Sequence, residues 1–410
     1  MTSTSRRWRN LGVAAGAVTA VLFALFDLYQ WAVAFASDQF HNDFTFYYAA
    51  ARIGLAHGWA AIYDLGLQQA ELAAMGSGIH IAELARFISP PPVAWAALPL
   101  TALPYPVAYW VWSLLLVAAL VATWQLAAPG SGLARLILLA AATGWLPVIY
   151  GLQLGQPAIL VAFGVAGSYA LLRAGHPVWA GIALAPLALK PQLAFLVPPA
   201  LLAARQNRAF FGSVLALGLL AAASALALGG PGVATYETRL AFAAGVPVNR
   251  ELTLAAWLGD LTLTRGVQVA IALWSLLLVY RMRRRGPEWI FVPALLGGLL
   301  ASPYLHLDDL LVLGLAAWLF LRTENLGWAW VYVLALVIAV EGEPFWGPLP
   351  VVAGELGALL LISVASLKAD DRDPEHHETE PEHDARLERD GEHVVVDGQR
   401  QPVDQPARQS

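Results

Sequence analysis

Long apolar runs with almost no charge are the feature that most limits what this chain can fold into. Three of them, at residues 11–26, 107–123 and 212–228, reach or approach the roughly 20 residues that cross a hydrocarbon core. Over the 410 residues, 58% are hydrophobic and 13% are charged. Soluble domains are about 45–50% hydrophobic and about 25% charged. The sequence therefore predicts an all-α polytopic membrane protein.

The apolar segments predict about twelve transmembrane helices, within a range of 11–13. A long outer loop at 34–104 follows the first helix, and its closing prolines favour an interfacial or re-entrant segment over a straight span. Within that loop, residues 45–57, 67–75 and 81–87 are amphipathic. Residues 1–368 are predicted to form the membrane domain, and 369–410 a disordered polar cytoplasmic tail. The predicted spans lie near 11–33, 105–127, 133–150, 157–172, 177–189, 191–204, 209–229, 264–282, 288–301, 306–322, 326–340 and 350–367.

The first apolar segment resembles either an anchor or a secretory signal peptide. Ala34, Phe35 and Ala36 fit a small-residue cleavage site. However, the segment is longer than the roughly 7–15 residues of a usual signal-peptide core, and Asp27 interrupts it. An uncleaved anchor is therefore the favoured prediction.

Basic residues alternate in density between successive loops. Thirteen lie in the short loops that are cytoplasmic if the N-terminus is cytoplasmic, and six lie in the longer outer loops. The run at 281–285 is the strongest single marker. Short cytoplasmic loops carry an excess of Lys and Arg. The sequence thus predicts a multi-pass protein of the cell membrane with both termini in the cytoplasm.

With this topology, five polar clusters fall at the periplasmic or extracellular face. They lie at residues 41–48, 151–156, 190–192, 249–251 and 302–309. Together they predict a polar cavity that opens outward.

Each cluster also has a plain structural explanation. Asp43 could cap the helix that follows it, Gln156 could cap the next one, and His306 could simply sit at the interface. Lys190 separates two segments too short to span the bilayer, which fits irregular backbone around a cavity and an anionic partner such as phosphate. It could equally be an interfacial lysine that extends toward water.

The chain contains no cysteine, which excludes disulfides and thiolate metal sites. Four histidines in the tail (His376, His377, His383 and His393) are interpreted as incidental. No metal, cofactor or nucleic-acid partner is predicted.

The order and spacing of several short motifs resemble the family-87 glycosyltransferases, which have the type-C glycosyltransferase fold. The resemblance runs from Asp43 to Asp309, and departs from the usual pattern at Ser89 and after Gln156. The motifs are Asp43-Phe44 with Tyr47-Tyr48-Ala49-Ala50, Ala61-Ile62-Tyr63-Asp64, Phe87-Ile88-Ser89-Pro90-Pro91, Gly155-Gln156, Gly181 to Lys190-Pro191-Gln192, and Ser302-Pro303-Tyr304 with His306.

This resemblance implies an inverting transfer of a hexose, typically mannose, from a polyprenyl-phosphate sugar. The acceptor would be a glycolipid or glycan at the outer face of the plasma membrane, as in cell-envelope glycolipid biosynthesis. It also implies Asp43 as general base. Donor phosphate and sugar would meet six further residues: Lys190, His306, Arg250, Gln156, Tyr47 and Tyr48.

Two other functions remain open from the residues alone. Broken helices and charged groups within the membrane also mark transporters and lipid flippases. A non-catalytic scaffold for envelope assembly is the third reading. The clustering of polar groups at one face, with no detectable internal repeat, favours the enzyme.

The predicted topology can be tested with introduced cysteines, because the chain has none of its own. Cysteines at Gln69 and Gly286 should react with an impermeant reagent from opposite sides of the membrane. Labelling of both from the same side would contradict the predicted orientation.

Overall fold

α-Helices make up most of the part of the chain that the structure, a computed structural model, describes: residues 3–82, 85–323 and 327–370. No β-strand occurs in these ranges. Beyond Asp370 the predicted tail lies outside the described residues and stays a prediction. The helices are α1 (Ser3–Ser37), α2 (Phe44–His57), α3 (Leu65–Ala74), α4 (Pro91–Ala97), α5 (Tyr105–Ala127), α6 (Gly132–Thr143), α7 (Leu146–Leu154), α8 (Ala158–Arg173), α9 (Pro177–Ile182), α10 (Val197–Ala203), α11 (Asn207–Gly245), α12 (Ala255–Leu258), α13 (Leu261–Met282), α14 (Glu288–Leu300), α15 (Leu311–Thr323), α16 (Gly327–Glu341), α17 (Glu343–Trp346) and α18 (Leu349–Asp370).

Five of the described helices are long and apolar enough to cross a membrane: α1, α5, α11, α13 and α18. A sixth span is possible if α6 and α7, which meet at a 58° bend, cross together. Further apolar helices of 10–17 residues include α8 and α14. The all-α polytopic prediction is confirmed, while the count of about twelve spans stays a prediction.

The segment predicted as two spans at 177–189 and 191–204 is a chain of short pieces. Two α-helices, α9 and α10, flank 3₁₀ turns at Ala185–Ala188 and Pro191–Leu193. Pro186, Pro191 and Pro198 explain the interruptions, because proline lacks the backbone N–H that a continuous helix needs. Lys190 therefore lies in irregular backbone between the two turns.

The first outer loop is largely helical. Helices α2 and α3 cover the predicted amphipathic stretches 45–57 and 67–75, whereas no helix forms in the described part of 81–87. Helix α11 is kinked at Gly229, where the backbone has φ 60°, at the predicted end of the span 209–229; a second helical segment, which was not predicted, follows to Gly245. Its second half packs on this loop, where the rings of Tyr63 and Tyr236 stack 4.7 Å apart.

Aromatic side chains form the core between the first outer loop and α5. Phe44 stacks on Trp112 with ring centroids 5.5 Å apart, and Tyr109 lies 6.2 Å from Phe44. The first helix joins this core through Phe35, which stacks on Tyr109 at 4.2 Å. This packing fixes the start of α2 against the membrane helices.

Helices α9 and α11 cross at two glycines. A Cβ on Gly181 would lie only 2.0 Å from the carbonyl oxygen of Ala209, and one on Gly212 would lie 2.5 Å from that of Val178. Small residues allow this close backbone approach, which provides much of the packing between membrane helices. The crossing anchors the start of the irregular segment that carries Lys190.

Gly181→Ala should therefore destabilise the protein. Overpacking a tight contact costs about 1–3 kcal/mol, which should lower the melting temperature of the detergent-solubilised protein by several degrees. Gly218→Ala is the matched control in α11, because a Cβ there meets nothing within 4 Å. Equal melting temperatures for the two variants would contradict the role of the crossing.

Candidate active site

Asp43 immediately precedes α2, but its carboxylate does not cap that helix. The side chain of Asp43 makes no capping hydrogen bond. Instead, the Asn42 side-chain oxygen accepts from the backbone N–H of Thr45 at 3.2 Å. The capping explanation considered for Asp43 is therefore replaced by capping from Asn42, and the carboxylate is left for other contacts.

The turn at 154–156 lies against the start of α2. The backbone N–H of Asp43 donates to the carbonyl of Leu154 at 3.0 Å, and the indole N–H of Trp112 donates to that of Gly155 at 2.8 Å. Gly155 has φ 71°, and a Cβ there would lie 2.9 Å from the Cβ of Phe44. Only glycine fits this left-handed, crowded position.

Gln156 connects Asp43 to Tyr47. The Gln156 amide donates a hydrogen bond to the Asp43 carboxylate, and its side-chain oxygen accepts from the Tyr47 hydroxyl at 3.4 Å. Gln156 and Tyr47 are buried, whereas Asp43 is partly exposed. Of these three residues, Asp43 is thus the one that a substrate can reach most easily.

The pKa of Asp43 is raised to about 7, chiefly by burial and in addition by the neighbouring Asp308 carboxylate. The Lys190 ammonium and the hydrogen bond from Gln156 act in the opposite direction. A carboxylate with a pKa near neutrality can both accept and release a proton at physiological pH. Asp43 therefore has the proton affinity of a general base.

Lys190 forms salt bridges with two consecutive aspartates. Its ammonium lies 2.7 Å from an Asp308 oxygen and 2.5 Å from an Asp309 oxygen. All three side chains are buried, and the two aspartates are 1% and 0% exposed. We call these residues the ion triad. With two carboxylates and one ammonium, it has a formal charge of −1 when all three groups are ionised.

Tyr304 and His306 lie at the more open side of the site. The His306 Nε2 atom is 2.7 Å from the Tyr304 hydroxyl, and the His306 backbone N–H donates to Asp309 at 3.0 Å. Both side chains are partly exposed. Burial lowers the pKa of His306, so its imidazole favours the neutral form at pH 7 and offers hydrogen bonds more readily than positive charge.

Two of the predicted site residues have other surroundings. The Tyr48 hydroxyl donates to the carbonyl of Leu103 at 2.8 Å, and its ring packs against Tyr105. Arg250 ends the 3₁₀ turn at Pro247–Arg250 and is partly exposed. That turn is joined to the His306 segment, because the backbone N–H of Leu305 donates to the carbonyl of Asn249 at 3.1 Å.

The structure thus brings Asp43, Tyr47, Gln156, Lys190 and His306 into one region. Sequence reasoning did not identify Asp308 and Asp309 as the partners of Lys190. Two adjacent acidic residues before an apolar segment were the available signal, because a lysine within a membrane domain needs a counter-charge. Among the described residues, no group of three or more His, Asp or Glu side chains is arranged to hold a metal ion.

The family model of glycosyltransferase family 87 matches residues 87–303, more than half of the chain. The chain belongs to glycosyltransferase family 87. No significant match was found among curated proteins or among solved structures.

Membership makes the chain a membrane glycosyltransferase that acts on a sugar donor and an acceptor. The matched range contains Gln156, Lys190 and Arg250, whereas Asp43 and His306 lie outside it. The roles proposed for those two residues therefore depend on the geometry of the site.

Replacing Gln156 should change the pH dependence of the glycosyltransferase. Gln156→Leu removes a hydrogen bond that lowers the pKa of Asp43. Hydrogen bonds to charged groups contribute about 1.5–3 kcal/mol, and one pKa unit is about 1.4 kcal/mol. The acidic limb of kcat/KM should start near pH 7 and move up by about 1–2 units. Gln153→Leu, which leaves the Asp43–Gln156 pair intact, should not move the limb; equal profiles would contradict this assignment.

Proposed function

We propose that this glycosyltransferase transfers a hexose, with mannose as the sugar that its family resemblance implies, from a polyprenyl-phosphate sugar to a glycolipid or glycan acceptor at the outer face of the cell membrane. The observation that carries the proposal is the partly exposed Asp43 carboxylate, free of capping and held by Gln156. It is supported by the predicted topology, which puts this end of the bundle outside the cytoplasm.

In the proposed reaction, Asp43 accepts the proton of the acceptor hydroxyl. The hydroxyl oxygen attacks the anomeric carbon, the bond from that carbon to the phosphate oxygen breaks, and polyprenyl phosphate leaves with the electron pair. A single displacement of this kind inverts the anomeric configuration. Because the leaving group is already an anion of low basicity, it needs electrostatic stabilisation more than a proton.

Two partly exposed residues are suited to the leaving phosphate. His306 offers a hydrogen bond, and Arg250 offers a positive charge on the turn joined to the His306 segment. Arginine matches the geometry of phosphate oxygens well. Tyr47 and Gln156 lie behind Asp43, where they would hold the base and border the sugar.

The other two aspartates of the first outer loop have local structural roles. An Asp38 oxygen accepts from the backbone N–H of Phe40 at 3.1 Å, and Asp64 caps α3 by accepting from that of Leu67 at 2.8 Å. These contacts favour Asp43 as the base among the three.

The donor class can be tested with purified protein and a radiolabelled polyprenyl-phosphate hexose. Thin-layer analysis should show label transferred to glycolipid when membrane acceptors are present, with mannose as the expected sugar. A nucleotide sugar, given to the purified protein without a polyprenyl-phosphate carrier, should give no product. Transfer from the nucleotide sugar alone would overturn the proposed donor.

Asp43→Asn tests the base directly. Asparagine is nearly the same size but cannot accept the proton as a carboxylate does, so kcat should fall about 10²–10⁴-fold with donor binding and melting temperature preserved. Asp38→Asn is the control and should reduce kcat far less. Near-normal turnover by Asp43→Asn in a direct transfer assay would refute the mechanism.

A further inference from the structure

The ion triad raises a question about Lys190, because the sequence predicts that this lysine contacts the donor phosphate. Its ammonium already has two carboxylate partners within 2.7 Å. A phosphate would have to compete with both carboxylates, and the net charge of the triad would repel it. The side chain is also only 10% exposed.

The triad instead connects two parts of the chain that are far apart in sequence. Lys190 lies in the irregular segment between α9 and α10, and Asp308 and Asp309 lie in the 3₁₀ turn at Leu307–Leu310. That turn begins at His306, whose backbone N–H is held by Asp309. The position of the His306 side chain at the open side of the site therefore depends on the same turn.

The two aspartates have different surroundings. Asp309 bonds to Lys190 and to the His306 backbone. Asp308 bonds to Lys190 and lies against α7. A Cβ added to Gly151 of α7 would be 3.6 Å from the Cβ of Asp308. Helix α7 leads directly into the 154–156 turn that holds Asp43, so Asp308 is the member of the pair on the Asp43 side.

We propose that Lys190 is a positioning residue that fixes the Leu307–Leu310 turn, and that through this turn Asp308 is held as a second carboxylate that tunes Asp43. The tuning rests on the proposed function of Asp43 as the base, whereas the structural role of Lys190 does not. In this arrangement the donor phosphate meets His306 and Arg250, and Lys190 makes no contact with it.

Asp43 has several charged or titratable neighbours, and each bears on the tuning. Asp308 acts to raise its pKa and Lys190 acts to lower it. Three phenols also face this carboxylate: Tyr47 on α2, Tyr150 on α7, and Tyr304. Tyrosine hydroxyls stay neutral near pH 7. Asp308 and Lys190 are thus the charged neighbours that shift the pKa of Asp43.

A matched pair of single variants tests the role of Asp308. Asp308→Asn and Asp309→Asn each leave Lys190 with one carboxylate, so both retain a compensated lysine, and asparagine can still accept from the His306 backbone. Asp308→Asn removes the carboxylate that raises the pKa of Asp43. The acidic limb of kcat should therefore move down by about one pH unit, the size usual for close carboxylate pairs, while Asp309→Asn leaves the limb in place. Equal limbs in both variants would overturn the tuning.

A second comparison tests the role of Lys190. Lys190→Met alone leaves two buried carboxylates without a cation, and we expect loss of folded protein in detergent. Adding Asp308→Asn restores the charge of −1 that the triad has when ionised, so the double variant should recover monodispersity and a cooperative melting transition. Its KM for the polyprenyl-phosphate sugar should stay within about threefold of the parent value, as for a lysine that makes no phosphate contact.

A different result is expected if Lys190 holds the donor phosphate. Removing Asp308 would not restore the lost phosphate contact, so the double variant would fold but show a donor KM raised at least tenfold. That outcome, or Lys190→Met folding as well as the parent, would overturn the positioning role. Should this double variant fail to fold, Lys190→Met with Asp309→Asn, which has the same charge, decides: an unchanged donor KM supports positioning, a donor KM raised at least tenfold contradicts it, and failure of both double variants to fold overturns the charge compensation on which the positioning role rests. Melting and KM do not depend on which residue is the base, so failure here is separable from failure of Asp43.

Discussion

The charge of Lys190 is the constraint from which much of the site follows. An ammonium buried in a membrane domain is costly unless carboxylates lie against it. Asp308 and Asp309 meet that requirement, and they come from a turn 118 or more residues away in the chain. The irregular segment between α9 and α10 must therefore lie beside the entrance to α15. Proline breaks and the α9–α11 glycine contact bring that segment to the required place.

The site divides its polar groups by depth. The ion triad, Gln156 and Tyr47 are buried, while Asp43, Tyr304 and His306 are partly exposed. Buried polar groups with satisfied hydrogen bonds are rigid, and rigid surroundings keep reacting groups in place. The exposed layer can then meet a substrate without losing the contacts that hold the site together. This division fits a reaction that depends on positioned charge.

Sequence patterns alone predicted the class of fold and the grouping of the polar clusters into one site. Apolar length predicted the membrane helices, and the polar clusters that were predicted to share one face contribute Asp43, Gln156, Lys190 and His306, which the structure brings together. The predicted span at 209–229 ends at the kink at Gly229, but the helical segment that follows it to Gly245 was not predicted, because Gly229, Gly230 and Pro231 resemble the end of a helix. Here packing of Tyr236 on Tyr63 stabilises helix beyond the break.

The pairing of Lys190 with Asp308 and Asp309 could not be predicted from sequence patterns. A lysine beside proline indicates a polar environment, but nothing local to residue 190 distinguishes a substrate phosphate from a carboxylate of the same chain. Asp308 and Asp309 belong to the predicted polar cluster at 302–309, but nothing in the sequence pairs them with residue 190. Similarly, Asn42 and Asp43 are equally good helix caps by composition, and only the fold decides that Asn42 is the one that caps.

That choice of cap has a practical consequence. Because the start of α2 is held by Asn42, and Asp43 contributes its backbone N–H to the bond with Leu154, the Asp43 side chain can be altered without loosening the helix. If Asp43 is the base, a protein altered at this carboxylate would be inactive while the rest of the site stays intact. Such an arrested enzyme could hold donor and acceptor side by side without turnover, in a Michaelis complex stable enough for cryo-microscopy.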